Sequence, residues 1–193
     1  FWDIGASIGL YSLYAAVKCD LNVVSFEPST NNTRILSRNI SKNDHFDKIK
    51  MFTLPLTDKE NSFLCMNESS KIEGSALNSY GKNLNQKGKN FNPSIKYKIY
   101  GTTINYILEN KILDIPNHIK IDVDGFEHLI LRGADKYLSN IKIKSILIEL
   151  NENYREQFDF VLKIMEENNF KIDDKTGFGE GFFNYIFKKN KSV

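Results

Sequence analysis

Apolar and polar positions along the chain switch repeatedly between a period near two and a period near 3.6, the mark of strands alternating with helices. Residues 1–4 read as the end of a buried strand, residues 5–9 as a Gly-containing turn, and residues 10–19 as a helix whose mostly apolar surface suits packing on a sheet. Residues 22–26 (Asn-Val-Val-Ser-Phe) form a short β-rich run ended by Glu27-Pro28. Residues 30–43 are helical, with Ile35, Leu36 and Ile40 on one side and Arg34 and Arg38 on the other. Residues 48–54 read as a third strand.

The middle breaks this rhythm. Residues 63–66, 75–77 and 95–100 are short strand candidates separated by Gly, Asn, Ser and Lys, which predicts an antiparallel insertion over residues 57–101 with a long loop from 78 to 94. A loop of that length in a compact domain reads as a lid or as a mobile segment. Strand and helix then alternate again: a helix over 103–110 capped by Thr102 or Thr103, a strand over 118–123, and a helix over 125–138. A continuous apolar strand follows over 144–150, then an amphipathic helix over 155–168. Residues 170–173, a Gly-rich turn at 176–181 and residues 182–188 predict a closing antiparallel hairpin. The whole, residues 1–193, reads as one α/β domain. Because it opens inside a strand, a further N-terminal part is expected ahead of Phe1.

The turn carries the first chemical signal. Asp3-x-Gly5-x-x-x-Gly9 lies between a strand and a helix, where Gly5 permits a sharp turn and a close backbone approach. The helix that follows points unpaired N–H groups at whatever sits over the turn. Glu27 stands 22 residues after Gly5, at the end of the next strand, where a carboxylate can accept both ribose hydroxyls of an adenosine. A dinucleotide fingerprint would place a second Gly where this chain has Ser7. A carboxylate at Asp3 also repels a pyrophosphate and attracts an ammonium group, as on the amino acid end of S-adenosylmethionine. A nicotinamide-dependent Rossmann oxidoreductase would need a second mononucleotide-binding half, for which the chain is too short. A non-catalytic cofactor-binding module remains the other alternative.

Bulk properties narrow the partners. The formal charge is 26 − 24 = +2, too balanced for binding to nucleic acid through bulk charge. Cys19 and Cys65 are far apart and form no metal or disulfide pattern. No apolar run approaches the roughly 18 residues of a membrane span, and no secretory signal opens the chain. A cytoplasmic setting, with neither membrane nor nucleic acid as partner, is the expectation; the oligomeric state is left open.

Three blocks carry a family resemblance: Asp3-Ile4-Gly5-Ala6-Ser7-Ile8-Gly9-Leu10-Tyr11-Ser12, Ser25-Phe26-Glu27-Pro28, and Ile119-Lys120-Ile121-Asp122-Val123-Asp124-Gly125-Phe126-Glu127. With Leu131-Arg132-Gly133-Ala134 and Ile148-Glu149 they resemble the FkbM-type methyltransferases, departing only in Ser7 for the usual Asn and Asp124 for the usual Glu. The resemblance implies a class I methyltransferase, Rossmann-like fold with a mostly parallel seven-stranded sheet. It also implies S-adenosylmethionine as cofactor, and O-methylation of a hydroxyl on a saccharide or other small metabolite. By position, Asp3, Gly5, Ala6 and Ser7 would line the methionine end and Glu27, with Pro28, the ribose. Leu56 would lie near the adenine, and Asp122 would face both the methionine moiety and the acceptor.

An alcohol acceptor gains from a general base or a metal that lowers its pKa. Asp122, Asp124, His128 and Glu149 are the candidate catalytic groups. Asp124 and Glu127 are also spaced as a capping box, His128 in the same first turn can simply be exposed, and Glu149 ends an apolar strand where an unpartnered carboxylate is costly. Asp122, Asp124 and Glu149 have the oxygen chemistry for Mg²⁺, yet no spacing calls for a metal. Lys82, Lys87, Lys89, Lys96 and Lys98 fall in an acid-free stretch, residues 74–108, and read as a solvated loop or as a lid that attracts an anionic acceptor.

Overall fold

The computed structural model of the protein describes residues 1–190. The chain runs β1 (Trp2–Ile4), α1 (Leu10–Lys18), β2 (Val23–Phe26), α2 (Thr30–Lys42) and β3 (Ile49–Phe52). It continues through β4 (Ser62–Glu68), β5 (Ser79–Tyr80) and β6 (Ile95–Gly101), then α3 (Ile104–Glu109), β7 (His118–Ile121) and α4 (Glu127–Arg132). It ends with β8 (Ser145–Asn151), α5 (Arg155–Glu167), β9 (Phe170–Gly179) and β10 (Phe182–Lys189).

Seven strands make one sheet in the order β3-β2-β1-β7-β8-β10-β9, and β5-β4-β6 make a second sheet of three. The first five strands of the large sheet are parallel, and β10 is antiparallel to both β8 and β9. Strand order therefore reverses between β1 and β7, so the loops after these two strands diverge and leave a crevice at the carboxyl edge.

Period-two side-chain alternation gives the sheet two apolar faces. Trp2, Ile4, Phe26, Ile119, Ile121 and Ile148 pack with Ile107 of α3, Leu131 of α4, and Val161 and Met165 of α5. Val23 and Ile49 point the other way, against Ala15 and Ala16 of α1 and Leu36 and Ile40 of α2. Each large side chain so buried is worth roughly 1.5–3 kcal/mol. One polar row interrupts the second face. Pairing aligns Ser25 of β2, Asp3 of β1 and Lys120 of β7 across three strands, and Asp3 accepts a 2.6 Å hydrogen bond from Ser12 Oγ of α1.

Four local expectations are corrected. The helix predicted over 125–138 is only Glu127–Arg132. Asp124 and Gly125 have φ of +57° and +103° and delay its start. At the other end Gly133 is the C-cap, and its carbonyl accepts from Asn105 N–H at 2.7 Å. The capping box does not form either: Phe126 is the N-cap, without a side-chain bond, and Glu127 Oε1 instead accepts from the N–H groups of Val123 and Gly125 at 3.0 and 3.2 Å. The strand expected over 75–77 lies at Ser79–Tyr80, because Leu77 is left-handed at φ +66° and its N–H donates to Asp124. Strand β9 extends past the expected 170–173 to Gly179, with Glu180 and Gly181 (φ +52° and +89°) making the turn. Among the described residues no helix is long and apolar enough to cross a membrane.

Candidate active site

Gly5 is required where it stands. Its φ is +77°, and a Cβ there would sit 1.9 Å from the Asp122 carbonyl oxygen, so β1 and β7 could not approach each other with any other residue. The turn is pinned to β2 by the N–H groups of Gly5 and Ala6, both donating to the Phe26 carbonyl at 3.0 Å. Glu27 holds it from the side. One carboxylate oxygen accepts from Ser7 N–H and the other from Ser29 N–H, each at 2.8 Å. Ser29 in turn caps α2.

Over this turn opens a cavity of about 230 Å³. Gly5, Ser7, Glu27 and Pro28 form one wall, Phe26, Leu54 and Leu56 an apolar one, and Asp122 and Asp124 a third. Met66, Ser75, Ala76, Asn78, Ser79 and Tyr80 of the β4–β6 segment close the remaining side. That segment is fastened at two points. Glu68, buried, accepts from Thr30 N–H, Asn31 Nδ2 and Tyr97 OH at 3.2, 3.0 and 2.7 Å, and Asn32 bridges Gly74 N–H and the Ser75 carbonyl. Across the cavity, Asp124 Oδ2 accepts from Leu77 and Asn78 N–H at 2.7 and 3.3 Å.

The carboxyl groups here are unusual. Burial pushes Glu27 up to about 7 against the pull of its two N–H donors and of Lys120. Burial and the neighbouring Asp122 push Asp124 up to about 6. Glu149, half-buried on β8, is pushed up to about 7 by burial and then by Asp122 and Asp124. Glu149 lines a second cavity of about 10 Å³, room for a single water, with Gln86, Gly125, Glu127, Asn151 and Gln157. Among the described residues no three His, Cys, Asp or Glu side chains converge to hold a metal ion.

Of the residues singled out from sequence, Gly5, Ser7, Glu27, Pro28, Leu56, Asp122 and Asp124 meet on the main cavity. Asp3 and Ala6 are buried behind its wall. His128 is buried too, not exposed: it faces Tyr154 and Phe160 edge-on, lies outside the cavity wall, and is pushed down to about 4 by burial and by Arg132.

Sequence reasoning missed three groups. Glu127, 2% exposed, accepts a 2.5 Å bond from Gln157 Nε2 and is pushed up to about 8 by burial despite its backbone donors. Glu68 ends β4 with no local pattern that sets it apart. Lys120, 5% exposed in its side chain, stands 3.5 Å from Asp3 Oδ1 and 3.2 Å from Asp122 Oδ2, and donates to the Gly5 carbonyl at 2.9 Å. The available signal for Lys120 was its place between Ile119 and Ile121, a charge at an inward position of a buried strand.

This crevice, with a glycine turn beneath it and an acid closing the second strand, belongs to the Rossmann-like methyltransferase domains. Solved structures share the architecture. A putative tRNA (m1A22) methyltransferase of Streptococcus pneumoniae in complex with S-adenosyl-L-methionine superposes with a TM-score of 0.56 at 11% identity, over 100% of this chain and 66% of its own. TrmK of M. capricolum in complex with S-adenosyl-homocysteine gives 0.54 at 13%, over 98% and 62%. The chain thus spans under two thirds of either protein, and at such identities the likeness is one of fold. Residues 3–172 match the methyltransferase FkbM domain, and the chain belongs to that family of S-adenosylmethionine-dependent methyltransferases. A curated relative, methyltransferase sdnD of Sordaria araneosa, is 27% identical over 194 residues, covering 88% of this chain and 73% of the relative.

Proposed function

We propose that the protein transfers a methyl group from S-adenosylmethionine to a hydroxyl of a saccharide or other small metabolite. The observation that carries the choice of a hydroxyl is the group of carboxyls beyond β7 and β8. Asp124 near 6 and Glu149 near 7 titrate close to neutrality, where a general base is most effective. Glu149 accepts the proton of the acceptor hydroxyl, and Asp122, its side chain 34% exposed, orients the acceptor and the amino acid end of the donor.

The main cavity fits the donor. The apolar wall of Phe26, Leu54 and Leu56 suits an adenine, and the oxygens of Glu27 keep lone pairs free for ribose hydroxyls beside those used by Ser7 and Ser29. Asp122 answers an ammonium. When bound, S-adenosylmethionine supplies an electrophilic methyl on a sulfonium. The β4–β6 segment acts as a lid that keeps water off the cavity, and its Lys82, Lys87 and Lys89 favour an anionic acceptor such as a phosphorylated sugar.

The test is formation of S-adenosylhomocysteine with a panel of free, phosphorylated and nucleotide-linked sugars, hydroxylated metabolites, and transfer RNA. Turnover with a hydroxylated small molecule, abolished in Glu149→Gln without loss of S-adenosylhomocysteine affinity, supports the reading. Methylation of RNA alone, or of nitrogen acceptors alone, overturns it.

A further inference from the structure

We infer that Lys120 is a positioning residue for the methyl donor: its ammonium, clamped between Asp3 and Asp122 and bonded to the Gly5 carbonyl, is the countercharge that holds both carboxylates beside one turn and presents Asp122 to the amino acid end of the ligand. A cation at this place is unexpected, because the donor is itself cationic. The geometry resolves the conflict. Lys120 lies on the α1 side of the sheet, beside the ring of Tyr11, and is absent from the cavity wall while Asp122 is on it. Two carboxylates against one ammonium leave the turn with one net negative charge, and the exposed member of the set is the one that meets ligand.

The environment offers Lys120 no other role. Among the described residues it is the cation paired with Asp3 and with Asp122. Asp3 is 0% exposed; its Oδ2 is satisfied by Ser12 Oγ, itself bonded to Ser25 Oγ at 2.7 Å, while its Oδ1 has no hydrogen-bond partner and only the ammonium at 3.5 Å. From α1 the ring of Tyr11 lies 5.1 Å from Nζ. The other charged groups near the ammonium, Glu27 beyond β2, Asp124 after β7 and Glu149 on β8, are all acidic. Burial disfavours the charged lysine, but Asp3 and Asp122 outweigh it and hold its pKa up. Removing one member of such a buried set leaves uncompensated charge.

This inference rests on the donor site proposed above, and the experiment separates the two. Calorimetry would measure binding of S-adenosylhomocysteine and of 5′-methylthioadenosine, which lacks the amino acid end. The wild-type protein, Lys120→Met and the double variant Asp3→Asn/Lys120→Met are compared. Lys120→Met should weaken S-adenosylhomocysteine about tenfold or more, the scale of one charge-assisted contact. Methylthioadenosine should bind within about twofold of wild type. The double variant removes the buried charge together with its partner, so it folds even where the single variant does not, and it should recover S-adenosylhomocysteine affinity. Equal losses for both ligands, or a double variant no better than the single one, would overturn the role of Lys120. A wild-type protein that binds neither ligand would overturn the donor site itself.

Discussion

Replacing Glu127 with Gln should make the protein more stable at neutral pH, although three hydrogen bonds converge on this side chain. The carboxyl is 2% exposed and its pKa rises from 4.5 to about 8 on folding, chiefly through burial. An acid raised by folding binds more protons folded than unfolded between those two values, so its contribution falls as pH rises through that window. At pH 7 the folded protein must hold a proton that the unfolded chain has released. The gap of roughly 2.5 pH units, at ~1.4 kcal/mol each, amounts to roughly 3 kcal/mol. Gln at 127 avoids that cost, keeps an oxygen for Val123 and Gly125 N–H, and meets Gln157 as an amide pair once the latter turns its oxygen inward. For a chain of this length the gain corresponds to a melting temperature higher by about 6–12 °C at pH 7. By pH 5 the difference should fall below about 1 kcal/mol. Thermal melts of both proteins by circular dichroism from pH 5 to 8 measure this. Parallel curves, or a variant less stable than its parent at pH 7–8, would refute the reasoning.

The remaining predictions concern the turn and the lid. Gly5→Ala, forced against the Asp122 carbonyl at positive φ, should cost about 2–5 kcal/mol in urea unfolding and abolish binding of S-adenosylhomocysteine. Asp124→Asn weakens the charged clasp on Leu77 and Asn78, so their amides should exchange with deuterium about tenfold faster; unchanged protection would count against the clasp. Glu68→Ala leaves Thr30 N–H, Asn31 and Tyr97 without their acceptor, at a cost of about 2–4 kcal/mol, and should open residues 74–94 to limited proteolysis. Replacing Lys82, Lys87 and Lys89 with Ala should raise KM for an anionic acceptor several-fold while leaving donor affinity alone; an unchanged KM removes these lysines from acceptor binding.

Most strands and helices of the parallel sheet were legible because the strands are short apolar runs and the helices periodic, and the seven-stranded, mostly parallel sheet followed from the family resemblance. The errors cluster where backbone groups are captured by distant partners. Residues 75–77 have strand composition, but Asn32 and Asp124 take their N–H and carbonyl groups, and no local pattern encodes a contact 40 residues away. The helix expected over 125–138 is shorter because left-handed Asp124 and Gly125 delay its start and Gly133 caps it. In the site, Glu27 and Asp122 stood out because each ends a strand at the carboxyl edge. Lys120 did not, because its meaning lies in registration with Asp3, and pairing register across β1 and β7 cannot be read from either strand alone. The burial of His128 is not legible locally, since it depends on Tyr154 and Phe160 arriving from α5 and the loop before it.

The central claim is that the cavity above the Gly5 turn is the methyl-donor site. A crystal structure of the protein with S-adenosylhomocysteine tests it most directly. The account predicts the ribose hydroxyls on Glu27, the adenine against Leu54 and Leu56, and the amino group toward Asp122. Ligand bound elsewhere, or in the cavity with its ribose turned away from Glu27, would contradict it.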